Sequence, residues 1–252
     1  MENKPLIRLK VIACDVLNRE ISFLSSQSRC YVDVSFIHQG LHSTPDKLRT
    51  FLQQEIDKAN EEFQYNYHST APHYDFIILA YGLCSNGITG LKSGKIPLVV
   101  PRAHDCITLL FGSKEKYKEY FDANPGTYWF SSGWIERSFQ PSEQKYSVLY
   151  NEYLEKYGED NAQYLLETEQ GWMKDYKNAA FIRWDCLANM EYYQEFTKSS
   201  AAYFDWSYTE YKGKIQLMEK LLNAQFDEQE VLVVPPGKQI AQSFDESILR
   251  YE

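Results

Sequence analysis

Three stretches of this sequence carry an apolar run into a cysteine. LIRLKVIAC delivers Cys14, YDFIILAYGLC delivers Cys84, and IPLVVPRAHDC passes Arg102, His104 and Asp105 before reaching Cys106. Several thiolates with an imidazole suit zinc, at about 2.3 Å from sulfur, or an iron–sulfur cluster. A metal also solves the problem of holding thiolates together, because it neutralises their charge and displaces their protons. Cys14, Cys84, Cys106 and His104 are therefore the expected metal ligands. The competing reading of any one cysteine is a small apolar side chain ending a buried strand, and it is the grouping that favours a metal. Cys186, after AAFIRWDC, is a further candidate, whereas Cys30 stands at the start of a strand.

Neighbouring residues suggest substrate contacts. Asn86 in YGLCSNGITGL is expected to donate to an anionic group, and Arg102 to place a positive charge beside a carboxylate or thiolate. Asp105 either orients His104 as an acceptor or caps a helix beginning at Cys106. The glycines around Cys84 match neither the Gly-x-Gly-x-x-Gly order nor a P-loop, so they are read as permitting a sharp turn. NPGTYWFSSGWIERS, with Trp129, Trp134 and Glu136, reads as a turn-rich loop packed on the core. Pro235-Pro236-Gly237 is expected to turn after a strand toward the same rim as the thiols. His38, His42, His68 and His73 have no cysteine nearby in sequence and are read as ordinary polar residues.

The elements that must position these groups alternate. Residues 6–14 read as a buried strand, with Asp15 as the N-cap of the helix that follows. CYVDVSFIHQGLH alternates as a strand, and STPDKLRTFLQQEIDKANEEF has a proline in its first turn and an amphipathic period. YDFIILAYGLC and IPLVVPRAH have the continuous apolar character of strands covered on both faces, and CITLLFGSKEKYKEYFDANPG reads as one helix. The pattern predicts an α/β fold, a doubly wound and mostly parallel sheet with helices on both faces. Residues 136–178 are helical and polar, a predicted insertion or lid. The α/β pattern returns over 179–252, with a strand at AAFIRWDC, helices at 189–204 and GKIQLMEKLLNAQF, and a final strand at EVLVVPPGKQI. Residues 1–135 then carry the site and 179–252 complete the fold, as one compact domain or two packed lobes. Ligands of such sheets bind beyond the carboxyl ends of the strands, where Cys14, Cys84, Cys106 and Cys186 are all expected.

Composition narrows the partners. The 252 residues carry a net charge of −9, which argues against nucleic acid or an anionic membrane as partner. No apolar run of about 18 or more residues is present, and no leader pattern opens the chain, so a cytoplasmic protein is expected. Five cysteines is an odd count for a disulfide framework. Twenty tyrosines and fourteen phenylalanines point to helices packed through amphipathic rings.

The blocks IACDVLNREI, YGLCSNGITGL, VVPRAHDCITLLFGS, PGTYWFSSGWIE and VLVVPPGKQI together resemble a prokaryotic family known as domain of unknown function 1638. That resemblance implies an anaerobic archaeal or bacterial setting beside corrinoid-dependent methyltransferase systems for methylamines and betaines. It thus implies a role in methyl transfer, one-carbon metabolism or upkeep of a corrinoid protein, with a corrinoid reached through a partner. His104-x-Cys106 also resembles the zinc motif of methylcobalamin:thiol methyltransferases, where zinc activates a substrate thiol. Cysteines at strand ends resemble those that hold a four-iron cluster in quinolinate synthase and the 2-hydroxyacyl-CoA dehydratases. The leading expectation is a zinc or iron–sulfur protein acting on a small molecule, an enzyme of methyltransferase or iron–sulfur type. Two rivals are a non-catalytic module that docks on a corrinoid protein or methyltransferase, and a metal-free thiol enzyme with Cys84 or Cys106 as nucleophile and His104 as base.

Overall fold

The computed structural model describes residues 6–61, 73–84 and 86–252, with the side chains of His42 and Ser43 excepted. His68 and the side chain of His42 therefore lie outside the described residues. The chain divides into two compact units, Met1–Tyr117 with Lys214–Glu252, and Lys118–Gly213. The division falls elsewhere than at residues 135 and 178, because the inserted unit holds strands as well as helices.

The first unit opens with β1, Arg8–Cys14, and a 3-10 turn, Asp15–Leu17, that leads into α1, Asn18–Gln27. Cys14 itself stands at the N-cap of the turn, and no side chain caps it. Asp15 is instead buried, and its Oδ1 accepts from the Gln39 N–H at 2.9 Å, which ties the end of β1 to the chain beyond β2, Tyr31–Ile37. Helix α2, Pro45–Asn60, begins on its proline and buries Leu48, Leu52, Ile56 and Ala59. Each of those larger side chains contributes about 1.5–3 kcal/mol by leaving water. Then come β3, Phe76–Ala80, and β4, Leu98–Pro101. Helix α3, Cys106–Phe111, stops where Gly112 takes φ 79°, and α4, Lys114–Ala123, starts afresh. The single helix expected over this stretch is thus two.

In the second unit the stretch read as a turn-rich loop contains β5, Thr127–Phe130, followed by α5, Ser132–Arg137. Trp129 is buried in the strand, while Trp134 and Glu136 sit on the helix. Helices α6, Glu143–Tyr157, and α7, Glu159–Glu169, form the helical stretch foreseen in the sequence. A 3-10 turn, Gly171–Asp175, leads to β6, Asn178–Arg183, then α8, Met190–Tyr203, and β7, Ser207–Lys212. These strands form their own parallel sheet in the order β5-β6-β7. β7 escapes a sequence reading because SYTEYK has no apolar run. Cys186 follows β6 and is exposed, so it belongs to this sheet and does not share a rim with the other strand-end cysteines.

Returning to the first unit, the chain forms α9, Gln216–Leu222, β8, Val231–Val234, and the antiparallel hairpin of β9, Ile240–Gln242, with β10, Leu249–Tyr251. The main sheet has the order β2-β1-β3-β4-β8, parallel except for β8. β8 is not the last strand. Its antiparallel register pairs Val234 with Leu98, so the Pro235-Pro236-Gly237 turn lies at the start of β4, the end opposite to the cysteines. There the Gly237 N–H donates to the carbonyls of Ser93 and Gly94. β1, β3 and β4 are almost wholly buried, and β2, at the edge, is half-buried throughout. An α/β fold of mostly parallel strands is therefore present. Among the described residues no helix is long and apolar enough to cross a membrane.

The Gly112 turn is a strict point of the first unit. A Cβ there would stand 2.6 Å from the Lys214 carbonyl oxygen, and the Lys214 N–H bonds the Leu110 carbonyl at 3.2 Å. Gly112→Ala combines a left-handed backbone penalty of about 1–2 kcal/mol with overpacking of about 1–3 kcal/mol. Urea denaturation should show this variant destabilised by about 2 kcal/mol or more.

Candidate functional site: three buried thiols at a strand-order reversal

The order of the main sheet puts β2 on one side of β1 and β3 on the other. The chain therefore leaves β1 and β3 in opposite directions, which is where open parallel sheets form their ligand crevice. Cys14 is the last residue of β1. Cys84 follows the end of β3 by four positions and Cys106 follows the end of β4 by five. Past the strands, the Leu83 N–H still bonds the Ala103 carbonyl at 2.8 Å, and the Cys84 N–H bonds the His104 carbonyl at 3.0 Å. These two bonds lay the Cys84 turn alongside the approach to Cys106.

Gly82 makes that approach feasible. A Cβ on it would lie 2.4 Å from the Asp105 nitrogen, so only a glycine lets the two backbones meet. Cys84 and Asn86 both take left-handed backbone conformations, with φ 47° and 66°. Non-glycine residues adopt this region at a cost, and such strain gathers at functional sites.

The three thiols are buried and share one electrostatic environment. Burial pushes the thiols of Cys14 and Cys84 up to about 12, and that of Cys106 well above the ordinary thiol range. The charge of Cys14 adds to the shift at Cys84, and the charges of Cys14 and Cys84 add to that at Cys106. Tyr81, itself buried, has its phenol raised by burial and then by the charges of Cys14, Cys84, Asp15 and Cys106. At neutral pH the site is thus a cluster of neutral thiols around a neutral phenol. Neither Tyr81 nor Asp15 was singled out by chemistry in the sequence. Their adjacency to the strand-end cysteines, in AYGLC and ACD, was the available signal.

Asp105 caps α3, its Oδ1 accepting from the N–H groups of Ile107 at 3.0 Å and Thr108 at 3.2 Å. Its Oδ2 accepts from the Tyr117 hydroxyl at 3.2 Å. Burial raises the Asp105 carboxyl, and the cap bonds, the Tyr117 bond and the neighbouring His104 pull it back. His104 is exposed. Arg102 is engaged elsewhere: its Nε donates to the Glu228 carbonyl, and its Nη1 to the carbonyls of Ser247 and Leu249. It clamps the β9–β10 segment onto the end of β4. The exposed Asn86 presents its own carbonyl to Arg49 Nη2 and to Thr89 Oγ1, each at 3.1 Å. Among the described residues no three His, Cys, Asp or Glu side chains are grouped so as to hold a metal ion. The arrangement brings the three thiols into mutual electrostatic reach without presenting a finished coordination sphere.

Two measurements test this geometry. The left-handed turn at Cys84 and the first helical position at Cys106 should order glycine and alanine variants oppositely. Calorimetry should find Cys84→Gly more stable than Cys84→Ala by about 1 kcal/mol, and Cys106→Ala more stable than Cys106→Gly by about as much. The second concerns pH. Thiols raised to about 12 in the fold ionise near 8.5 in the unfolded chain, so the unfolded chain binds fewer protons above that pH. The stability they contribute is whole below about pH 8.5 and is lost as pH rises toward 12. Denaturant titrations from pH 8 to 11 should show a steeper fall for the parent protein than for a Cys14→Ala/Cys84→Ala variant, and parallel curves would contradict the assignment.

No curated protein and no solved structure matches this chain. The family model described as "Protein of unknown function (DUF1638)" matches residues 36–222. That span includes Cys84, His104, Asp105 and Cys106, and it begins after Cys14. A match over well more than half of the sequence makes this chain a member of the DUF1638 family.

Proposed function

We propose that this chain is a cytoplasmic metal-binding protein whose Cys14, Cys84 and Cys106 take zinc or an iron–sulfur cluster at the crevice between β1 and β3. His104 is the further donor at the mouth, and the setting is one-carbon metabolism linked to corrinoid-dependent methyl transfer. The observation that carries the reading is the convergence of three thiols, from the ends of three neighbouring parallel strands, on one buried electrostatic environment. As they stand the donors are not grouped for coordination, so uptake involves new cysteine rotamers and a shift of the strained turn at Cys84. Bound there, zinc would supply activation of a substrate thiol, and a cluster an open iron position. The protein's own part is to exclude water around the thiols, to keep Tyr81 protonated beside them, and to fix Cys106 through the Asp105 cap.

The thiol-enzyme alternative asks for a lowered thiol pKa, whereas burial here raises all three. A second reading, a non-catalytic module that docks on a corrinoid protein or methyltransferase, draws support from the ungrouped donors. In that reading the cysteines are packing.

Elemental analysis and a visible spectrum of anaerobically purified protein separate the two. Stoichiometric zinc, or iron with a brown chromophore, reduced in each of Cys14→Ala, Cys84→Ala and Cys106→Ala, is the expected result. Protein without stoichiometric metal, whose three thiols become reactive only on unfolding, would sink the metal reading and leave the docking module.

A further inference from the structure

Helix α2 grips the chain between β3 and β4 with side chains along its length. Asn60 Oδ1 accepts from the N–H groups of Lys95 at 2.6 Å and Ile96 at 2.9 Å, and Gln53 bonds the N–H and the carbonyl of Lys92 at 2.9 and 3.2 Å. The backbone of Ile240 pairs with Gly90 and Leu91 at 2.8 and 2.9 Å. From Gly90 to Ile96 the chain is therefore held by paired bonds. Nearer to Cys84 the hold of α2 is thinner. Leu48 packs on Gly87, where a Cβ would stand 2.8 Å from Leu48 Cδ2, and Arg49 gives one bond, from Nη2 to the Asn86 carbonyl at 3.1 Å. Asp46 Oδ1 accepts from Arg49 Nη1 at 2.9 Å and so fixes the guanidinium from the turn of helix before it.

The part that Arg49 grips is the strained part. Cys84 and Asn86 are left-handed, at φ 47° and 66°, a conformation that a side chain disfavours, so hydrogen bonds must hold them there. The Asn86 carbonyl gathers those bonds. Besides Arg49 Nη2 it accepts from the Thr89 N–H at 3.2 Å and the Thr89 hydroxyl at 3.1 Å. Of these three donors, Arg49 is the one that reaches the carbonyl from outside the turn. Without it the turn is held at Asn86 by its own residues, and relaxation of the two left-handed positions favours opening. A strained segment tied by few bonds opens locally, with the rest of the fold intact. Cys84 is 8% exposed, so movement of this turn decides when its sulfur is reached.

We propose that Arg49 is the latch of a gate: its bond to Asn86 keeps the turn shut over Cys84, and local opening of that turn is the route by which the thiol meets its occupant. The purpose of the gate rests on the metal reading, but its test needs no metal. The full chain, reduced and freed of metal, is labelled with N-ethylmaleimide over a series of urea concentrations below the unfolding transition, and modification of Cys84 is followed by mass spectrometry. A local opening exposes little surface, so the Cys84 rate in the parent chain should stay nearly flat with urea, whereas labelling through global unfolding would climb steeply. Arg49→Met keeps the aliphatic stem and should raise the flat rate at least about tenfold, as expected for loss of a charged donor. Thr89→Val removes a neutral donor to the same carbonyl and should raise it by a smaller factor. A parent rate that climbs with urea, or a flat rate that Arg49→Met leaves unchanged, would overturn the latch. Zinc uptake that fails while the labelling pattern holds would count against the metal reading and leave the latch standing.

Discussion

The backbones of Gly82 and Asp105 run so close that a methyl group on Gly82 would strike the Asp105 nitrogen, and the geometry of the thiol cluster depends on that contact. It allows the chain beyond β3 and the chain beyond β4 to keep exchanging hydrogen bonds after the strands have ended. Cys84 is then delivered into a left-handed turn, and Asp105 into the cap of α3 with Cys106 next to it. Without this contact the two segments would separate as ordinary loops do, and each cysteine would end its strand alone. Backbone proximity, rather than attraction between side chains, assembles the cluster.

The energetic consequence is a site made of neutral groups in a protein of net charge −9. Three thiols and a phenol are raised together because each is buried and each ionised neighbour would worsen the others' position. Such a cluster is stable when fully protonated. Asp105 sits at the margin of this environment. Burial raises its carboxyl, and the helix N-terminus, Tyr117 and His104 hold that rise in check.

Much of the first unit was legible in the sequence, and the reason is physical. β1, β3 and β4 are buried on both faces and therefore read as continuous apolar runs, and α2 carries a regular buried stripe. The position of Cys14, Cys84 and Cys106 at one rim followed from those strands and from the parallel rule. Two kinds of feature were hidden. β5 and β7 belong to a small sheet whose strands mix polar and aromatic residues, so TYWF and SYTEYK carry no strand period. The direction of β8 depends on what it pairs with rather than on VLVV itself, and this misplaced the Pro-Pro-Gly turn. The sequence alone leaves Arg102 free to meet a substrate, because an arginine's partners are set by tertiary structure, here three carbonyls far along the chain.

The antiparallel pairing of β4 with β8 also fixes an order of events during synthesis. β4 is fully buried, yet the strand that covers its outer edge is translated only after the whole second unit has emerged. About 130 residues separate the two strands, roughly ten seconds of elongation. Throughout that interval the nascent chain holds an unpaired, apolar edge, and the second unit emerges while the first still lacks its last sheet strand. Until β8 is made, that open edge is a place where the first unit is exposed to pairing with another chain.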